Sequence, residues 1–444
     1  MYGMNTPESK ESEQPLQNKT FLVVLINTLA ASLTNNFIWF ALTFWVYLET
    51  KSVLTTSIMA GVYSGTVAVT GFFLGTLVDR YPKKLAMLLS SSSSLLLYIV
   101  AAGIYLSTSE TTFRNPGSWQ LWMFITLALI GAIAGNLRSI ALSTLVTILL
   151  PEDQRDKANG MVGTANGVSF LAASIFSGLV IGFLGMFWTL VLAIGFTLLV
   201  VLHLSTLSIQ ERTHVHAEAP PVSFNVRHTI AIIQEIPGLF GLIFFNCFNN
   251  FLGGVFMSLM DAYGLSLVSV QVWGILWGFL SLGFIIGGLI VARQGLGGKP
   301  LRTLFLTNLI MWFVCIFFTL QASIVLLSVG LLIYMCLIPV VEAAEQTIVQ
   351  KVIPPDRLGR VFGFSQSLEQ AASPITALLI GPIAQYIFIP FMTTGAGVQW
   401  LGSWFGTGSD RGLALVFTLT GIIGFIVTLL AMRSRAYHTL ASHY

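Results

Sequence analysis

The chain has 444 residues, of which 55% are hydrophobic and only 9% charged, with a mean hydropathy of +0.83 and a formal net charge of +3. Soluble domains carry about 25% charged residues, so most of this surface must face lipid, and a water-soluble enzyme is excluded. The basic residues are dispersed along the chain, which excludes the concentrated basic patch that a nucleic-acid partner requires.

Residues 1–19 are polar and form an N-terminal tail without the apolar core of a signal peptide. The first apolar stretch, Phe21–Tyr47, is too long for such a peptide and reads as a retained span. Further runs follow, each long enough for the roughly 20 residues that cross a hydrocarbon core. They lack the strict alternation of barrel strands, so they are helices. The expected spans are 20–47, 54–78, 84–106, 119–150, 157–183, 186–208, 237–262, 269–292, 302–321, 323–350, 360–389 and 412–433, with boundaries good to about four residues. The fold class is therefore an all-α membrane protein with twelve transmembrane helices. Cys247, Cys315 and Cys336 all lie inside apolar runs and behave as small hydrophobes rather than a disulfide set.

With this many spans both termini share one side. Of the 21 Lys and Arg residues, seventeen fall on that side, three (Lys51, Arg114 and Arg411) on the other, and Arg138 within a span. The positive-inside rule places both termini in the cytoplasm. A polar stretch at 209–236, with Pro220 and Pro221, separates an N-terminal bundle (20–208) from a C-terminal one (237–433), and 434–444 form a second tail. The linker has room for a short amphipathic helix. Its His214 and His216 lack the further ligands that a metal site needs.

The two halves repeat. Pro151 to Gly160 (PEDQRDKANG) and Pro354 to Gly363 (PPDRLGRVFG) place proline, acid, base and glycine at the same spacing. Gly75-Thr-Leu-Val-Asp79-Arg80 likewise matches Gly288-Leu-Ile-Val-Ala292-Arg293. A parallel repeat of six plus six spans puts a substrate site between the halves, near the midplane.

The segment Gly75 to Lys84 (GTLVDRYPKK), at the end of span 2, resembles the loop 2–3 signature of the major facilitator superfamily. With the twelve spans and the repeat, the chain is similar to that family over nearly its whole length. The resemblance implies two pseudo-symmetric six-helix bundles, the major facilitator fold. It also implies a cytoplasmic latch formed by Gly75, Asp79, Arg80, Lys83 and Lys84. Within the family the chain looks like the macrolide-efflux-like branch of drug:proton antiporters. The segments that carry this are Phe40 to Tyr47 (FALTFWVY), Thr50 to Ser52, Gln350 to Asp356 (QKVIPPD) and Gly359 to Phe362. Gly381-Pro-Ile-Ala, Phe388 to Pro390 and the glycine-rich stretch 395–412 add to them. Span 5 has glycines at Gly178 and Gly182 but lacks the proline that many exporters of the family carry there.

Charged residues inside spans are costly and need partners or water. Arg138 lies about 20 Å from the cytoplasmic end of span 4, at 1.5 Å per residue. Span 10 carries Glu342 and Glu345 on one face. The expected device is a pair between Arg138 and Glu342 or Glu345 in one state, with a glutamate taking a proton in the other; the alternative is a fixed structural ion pair. Glu369 in span 11 is an alternative proton carrier. Asn35, Asn36 and Trp39 in span 1, and Asn246, Asn249 and Asn250 in the repeat-related span 7, either line the cavity or join helices by hydrogen bonds.

The function expected from these residues is secondary active transport: proton-coupled efflux of amphipathic small molecules by alternating access. An importer of a polar nutrient and a non-transporting membrane sensor remain alternatives. No phosphate-binding loop, nucleophile set or metal cluster suggests an enzyme or an ATP-driven pump, so no cofactor is expected. The expected partners are a small-molecule substrate, protons and the lipid bilayer, the protein acting as a monomer in a bacterial cytoplasmic membrane.

Overall fold

The computed structural model describes residues 8–149, 152–209, 226–353 and 355–442. Within them the side chains of 8–18, 71–73, 75–80, 143–144, 147–148, 152–160, 163–164, 226–228, 292, 350, 355–360, 362–363 and 366 lie outside the description. Gly75, Asp79 and Arg80 of the expected latch therefore fall outside the described side chains, as do most of the two PEDQ and PPDR segments. The paired histidines of the linker lie outside the described residues.

Among the described residues, twelve helices are long and apolar enough to cross a membrane. They are α1 (Glu8–Thr50), α2 (Val53–Arg80), α3 (Lys83–Ser107), α4 (Trp119–Leu149), α5 (Glu152–Phe183), α6 (Gly185–Thr206), α7 (Leu239–Leu267), α8 (Val270–Gln294), α9 (Pro300–Phe317), α10 (Ile324–Val352), α11 (Pro355–Ile383) and α12 (Ser409–Met432). Each coincides with one expected span. Local chemistry sets several of their ends. Pro300 opens α9 at its first position, where its missing N–H costs nothing. Ser323 caps α10 by accepting from the Leu326 N–H at 3.3 Å.

Alpha-helical geometry yields at the end of α11. Pro374 and Pro382 lie inside that helix. Proline removes a donor and crowds the preceding turn, and the chain widens into a π turn over Ala384–Phe388 before one more turn, Ile389–Thr393. This carries the element beyond the expected limit at 389. The polar linker ends in a short helix, Val226–Glu235, which buries Thr229, Ile232 and Ile233.

Contacts sort the chain into two compact units, Met1–Trp45 with Val69–Pro220 and Val46–Ala68 with Pro221–Tyr444. In the first, α3 packs on α4 and on α6. In the second, the corresponding helix α9 packs on α10 and on α12, so the sequence repeat reappears as repeated packing. The first core gathers Phe21 and Val24 of α1, Met87 of α3, Leu145 of α4 and Leu204 of α6. The second gathers Leu239 and Phe245 of α7, Leu304 of α9, Ile348 of α10 and Leu440 near the C-terminus. Without a hydrophobic drive between helices in lipid, close backbone approach matters more. Gly283 and Gly287 of α8 abut the α10 backbone around Cys336, where a Cβ would collide.

The unit boundary differs from the expected division at one place. Val46–Ala68, the end of α1 and the first part of α2, belongs to the second unit. Small residues make that possible: Gly61 lies against Leu378, and Ser57 against Gly381.

Candidate functional site

Each unit contains a polar cluster built by several helices. In the first, α1, α3, α4 and α6 converge on Arg138, which is 1% exposed. Its Nε donates to Thr28 Oγ1 at 3.2 Å and its Nη1 to Ser91 Oγ at 2.8 Å. Its Nη2 donates to Asn27 Oδ1. The amide of Asn27 continues the network, donating to the Val200 carbonyl at 3.1 Å and contacting His203 Nδ1 at 2.8 Å. Because that amide nitrogen is a donor, His203 Nδ1 is the acceptor and its proton sits on Nε2. The fork of the guanidinium thus ties three helices through neutral partners of its own bundle. Arg138, expected to pair with Glu342 or Glu345 in one state, is hydrogen-bonded here to Asn27, Thr28 and Ser91. Asn27 and His203 carried no signal in the sequence beyond being polar residues in apolar runs.

The second unit holds the carboxyl groups. Glu345 on α10 lies close to Glu369 on α11 and to Asn246 on α7. Glu369 and Asn246 are buried, at 9% and 4% exposure. Glu342, one turn before Glu345, is exposed. Three buried polar atoms here have no hydrogen-bond partner: Glu369 Oε1, Asn246 Nδ2 and Ser365 Oγ, the last one turn before Glu369. Each such atom costs about 1–3 kcal/mol, so three on neighbouring helices mark a place reserved for more than packing. Within the second unit the structure therefore joins Glu345, Glu369 and Asn246 from the sequence candidates.

The amide candidates divide. Asn35 accepts from Tyr98 Oη at 3.0 Å, joining α1 to α3. Asn249 accepts from Trp312 Nε1 at 2.8 Å, joining α7 to α9. These are equivalent helix pairs of the repeat, and both amides act as interhelical ties. Asn250 is exposed and bonds back to the Asn246 carbonyl at 3.2 Å. Asn36 and Trp39 are half-buried on α1. Of the latch bases, Lys84 reaches the Ser205 and Leu207 carbonyls at 3.0 and 2.5 Å, closing the C-terminal end of α6 as a cation should. Lys83 makes a long contact of 3.4 Å to the Tyr81 carbonyl.

Two charged residues, half-buried Asp261 and buried Arg411, do not stand out in the sequence. Asp261 on α7 accepts from both Trp273 and Trp277 of α8 on the same oxygen, at 2.9 and 2.8 Å. Arg411, assigned to a loop by its position outside the expected spans, is 2% exposed. It donates to the carbonyls of Phe405, Thr319 and Leu320 at 2.6, 2.9 and 2.8 Å and stacks over the Phe405 ring at 4.2 Å.

With twelve spans, two repeated bundles and intramembrane polar clusters in each, the family can be tested directly. The model of the Major Facilitator Superfamily matches residues 24–377. The chain belongs to the Major Facilitator Superfamily. It is a membrane transporter of that family, and its substrates are small molecules. Among its relatives, macrolide efflux protein A of Streptococcus pyogenes is 24% identical over 385 residues, covering 83% of this chain and 90% of the relative. Macrolide efflux protein A of Enterococcus faecalis is 25% identical over 326 residues, covering 69% and 94%. Solved structures share the fold at lower identity. A bacterial homologue of the human lysosomal transporter Spinster aligns with a TM-score of 0.68 at 15% identity, over 97% of this transporter and 98% of that chain. The nucleoside transporter NupG aligns at 0.68 and 12%, over 93% and 100%, and a D-xylose–proton symporter at 0.63 and 13%, over 94% and 96%.

Proposed function

We propose that this transporter exports amphipathic small molecules of the macrolide type in exchange for protons, with Glu345 and Glu369 as the coupling pair. The observation that carries the reading is the cluster of Glu345, Glu369 and Asn246 with its unpartnered buried atoms. Two carboxyl groups this close repel when both are charged, and one proton held between them relieves the repulsion. A substrate that competes for the same groups would release that proton, which is the linkage an antiporter needs. Glu342, exposed beside the pair, is the entry for the proton. Export rather than import rests on the macrolide efflux relatives, and the mostly apolar helices suit an amphipathic cargo.

In the same reading both termini face the cytoplasm of a bacterial cell, as the basic residues require, and the protein works as a monomer. Asp79, with Gly75, Arg80 and Lys83, latches the cytoplasmic side in one state of the cycle, while Lys84 serves the end of α6. Arg138 holds the first bundle together rather than moving protons.

Proteoliposomes with an imposed pH gradient test the proposal, using a radiolabelled macrolide. Uphill movement should follow the gradient and collapse with a protonophore. Glu345→Gln and Glu369→Gln should each abolish uphill movement while sparing exchange of labelled for unlabelled macrolide. Uphill movement in wild-type protein that ignores the gradient would refute proton coupling. Full uphill activity in both variants would refute the assignment of the pair.

A further inference from the structure

A groove runs between the start of α7 and the end of α12. Its volume is about 540 Å³, and its walls are almost wholly carbon: Phe244 and Phe248 of α7, Phe305 of α9, and Val427 and Leu430 of α12. The short C-terminal helix Arg435–Ser442 forms one end. That helix sits close to α7 because Gly238 and Gly241 admit Ala436 and Leu440, where a Cβ would collide. Phe244 and Leu430 are 66% and 61% exposed, so the groove opens outward along its length.

Three arginines adjoin its lining residues in the chain. Arg302 follows the lining residue Leu301, and Arg433 and Arg435 flank the lining residue Ser434. All three arginines are exposed, and among the described residues none forms an ion pair. The lining contains no acid. An apolar channel thus lies beside three exposed cations near the end of α12. A second protein would need a contact of roughly 800 Å² on each partner, and a narrow cleft beneath an eight-residue helix does not supply it.

We propose that this groove binds an anionic phospholipid, with one acyl chain along Phe244, Phe248 and Leu430 and the phosphate among Arg302, Arg433 and Arg435. The bound lipid braces the C-terminal helix against α7. Each arginine near an anionic headgroup strengthens the attraction about fivefold, so three together favour an anionic over a zwitterionic lipid by on the order of a hundredfold.

Native mass spectrometry of the full chain in a neutral detergent tests this, with dioleoyl-phosphatidylglycerol and dioleoyl-phosphatidylcholine as probes. Wild-type protein should retain one phosphatidylglycerol far more strongly than phosphatidylcholine. R302Q/R433Q/R435Q should erase that preference, and the single variant R433Q should lower it about fivefold, with topology undisturbed. V427F narrows the hydrocarbon channel without touching charge, and it should weaken both lipids alike. Equal retention of the two lipids by wild-type protein would overturn the proposal, as would an unchanged preference in R433Q and the triple variant. A lipid-free dimer that V427F dissociates would overturn it too, in favour of a second copy of the chain.

Discussion

Asp261 offers a sharp test of how the second bundle is held. One of its oxygens accepts two indole N–H groups, from Trp273 at 2.9 Å and Trp277 at 2.8 Å. Indole nitrogen is a donor only, so Asp261→Ala removes the shared acceptor of two N–H groups. An orphaned buried donor costs about 1–3 kcal/mol. Trp273 is fully buried and pays the whole penalty, whereas Trp277 is half-buried and recovers part of it from water. The expected loss is therefore roughly 2–4 kcal/mol on these per-group costs. Asp261→Asn keeps an oxygen in place for both indoles and should stay within about 1 kcal/mol of wild type, since only the charge assistance is lost. Thermal unfolding of the purified protein at a fixed scan rate, followed by tryptophan fluorescence, ranks the variants. Trp277→Phe completes a double-mutant cycle, and Asp261→Ala should cost less in that background. If Asp261→Ala and Asp261→Asn melt together, or if the cycle shows no coupling, the two-indole account is wrong. Any transport defect in the well-folded Asp261→Asn protein then belongs to the lost charge.

Other expectations follow from the same geometry. Arg138→Lys keeps the charge but not the fork that meets Thr28, Ser91 and Asn27, so it should lose at least one charged hydrogen bond, about 1.5–3 kcal/mol; a melting temperature equal to wild type would refute this. Arg411→Met should free the segment 395–408, read as faster hydrogen exchange there, because Arg411 bonds the carbonyls of Phe405, Thr319 and Leu320. Unaltered exchange would show that the loop holds itself. Tyr98→Phe removes the bond to Asn35 and should cost about 1 kcal/mol, checked by the same melting assay. Asp79→Asn should slow macrolide transport while leaving membrane insertion intact; wild-type rates would dismiss the latch.

The sequence by itself determined the number of spans, the repeat and the fold class. Hydrocarbon admits few backbone solutions, so apolar length alone specifies a helix, and every expected span became one long helix. It also singled out Arg138, Glu345 and Glu369, because a charge inside an apolar run stands out against its neighbours. What it did not contain was the partner of each charge. Arg138 and Glu345 looked complementary by sign, yet Asn27, Thr28 and Ser91 reach the guanidinium from helices 47 to 111 residues away in the chain. Asn35 and Asn249 were open between ligand and tie until packing set Tyr98 and Trp312 against them. Arg411 was assigned to a loop because it precedes its apolar run, and only the fold of the 395–408 segment buried it. Which helix faces which is a property of tertiary packing, where side chains far apart in sequence share one hydrogen-bonding network; hydropathy registers depth along a helix and carries no record of direction around it.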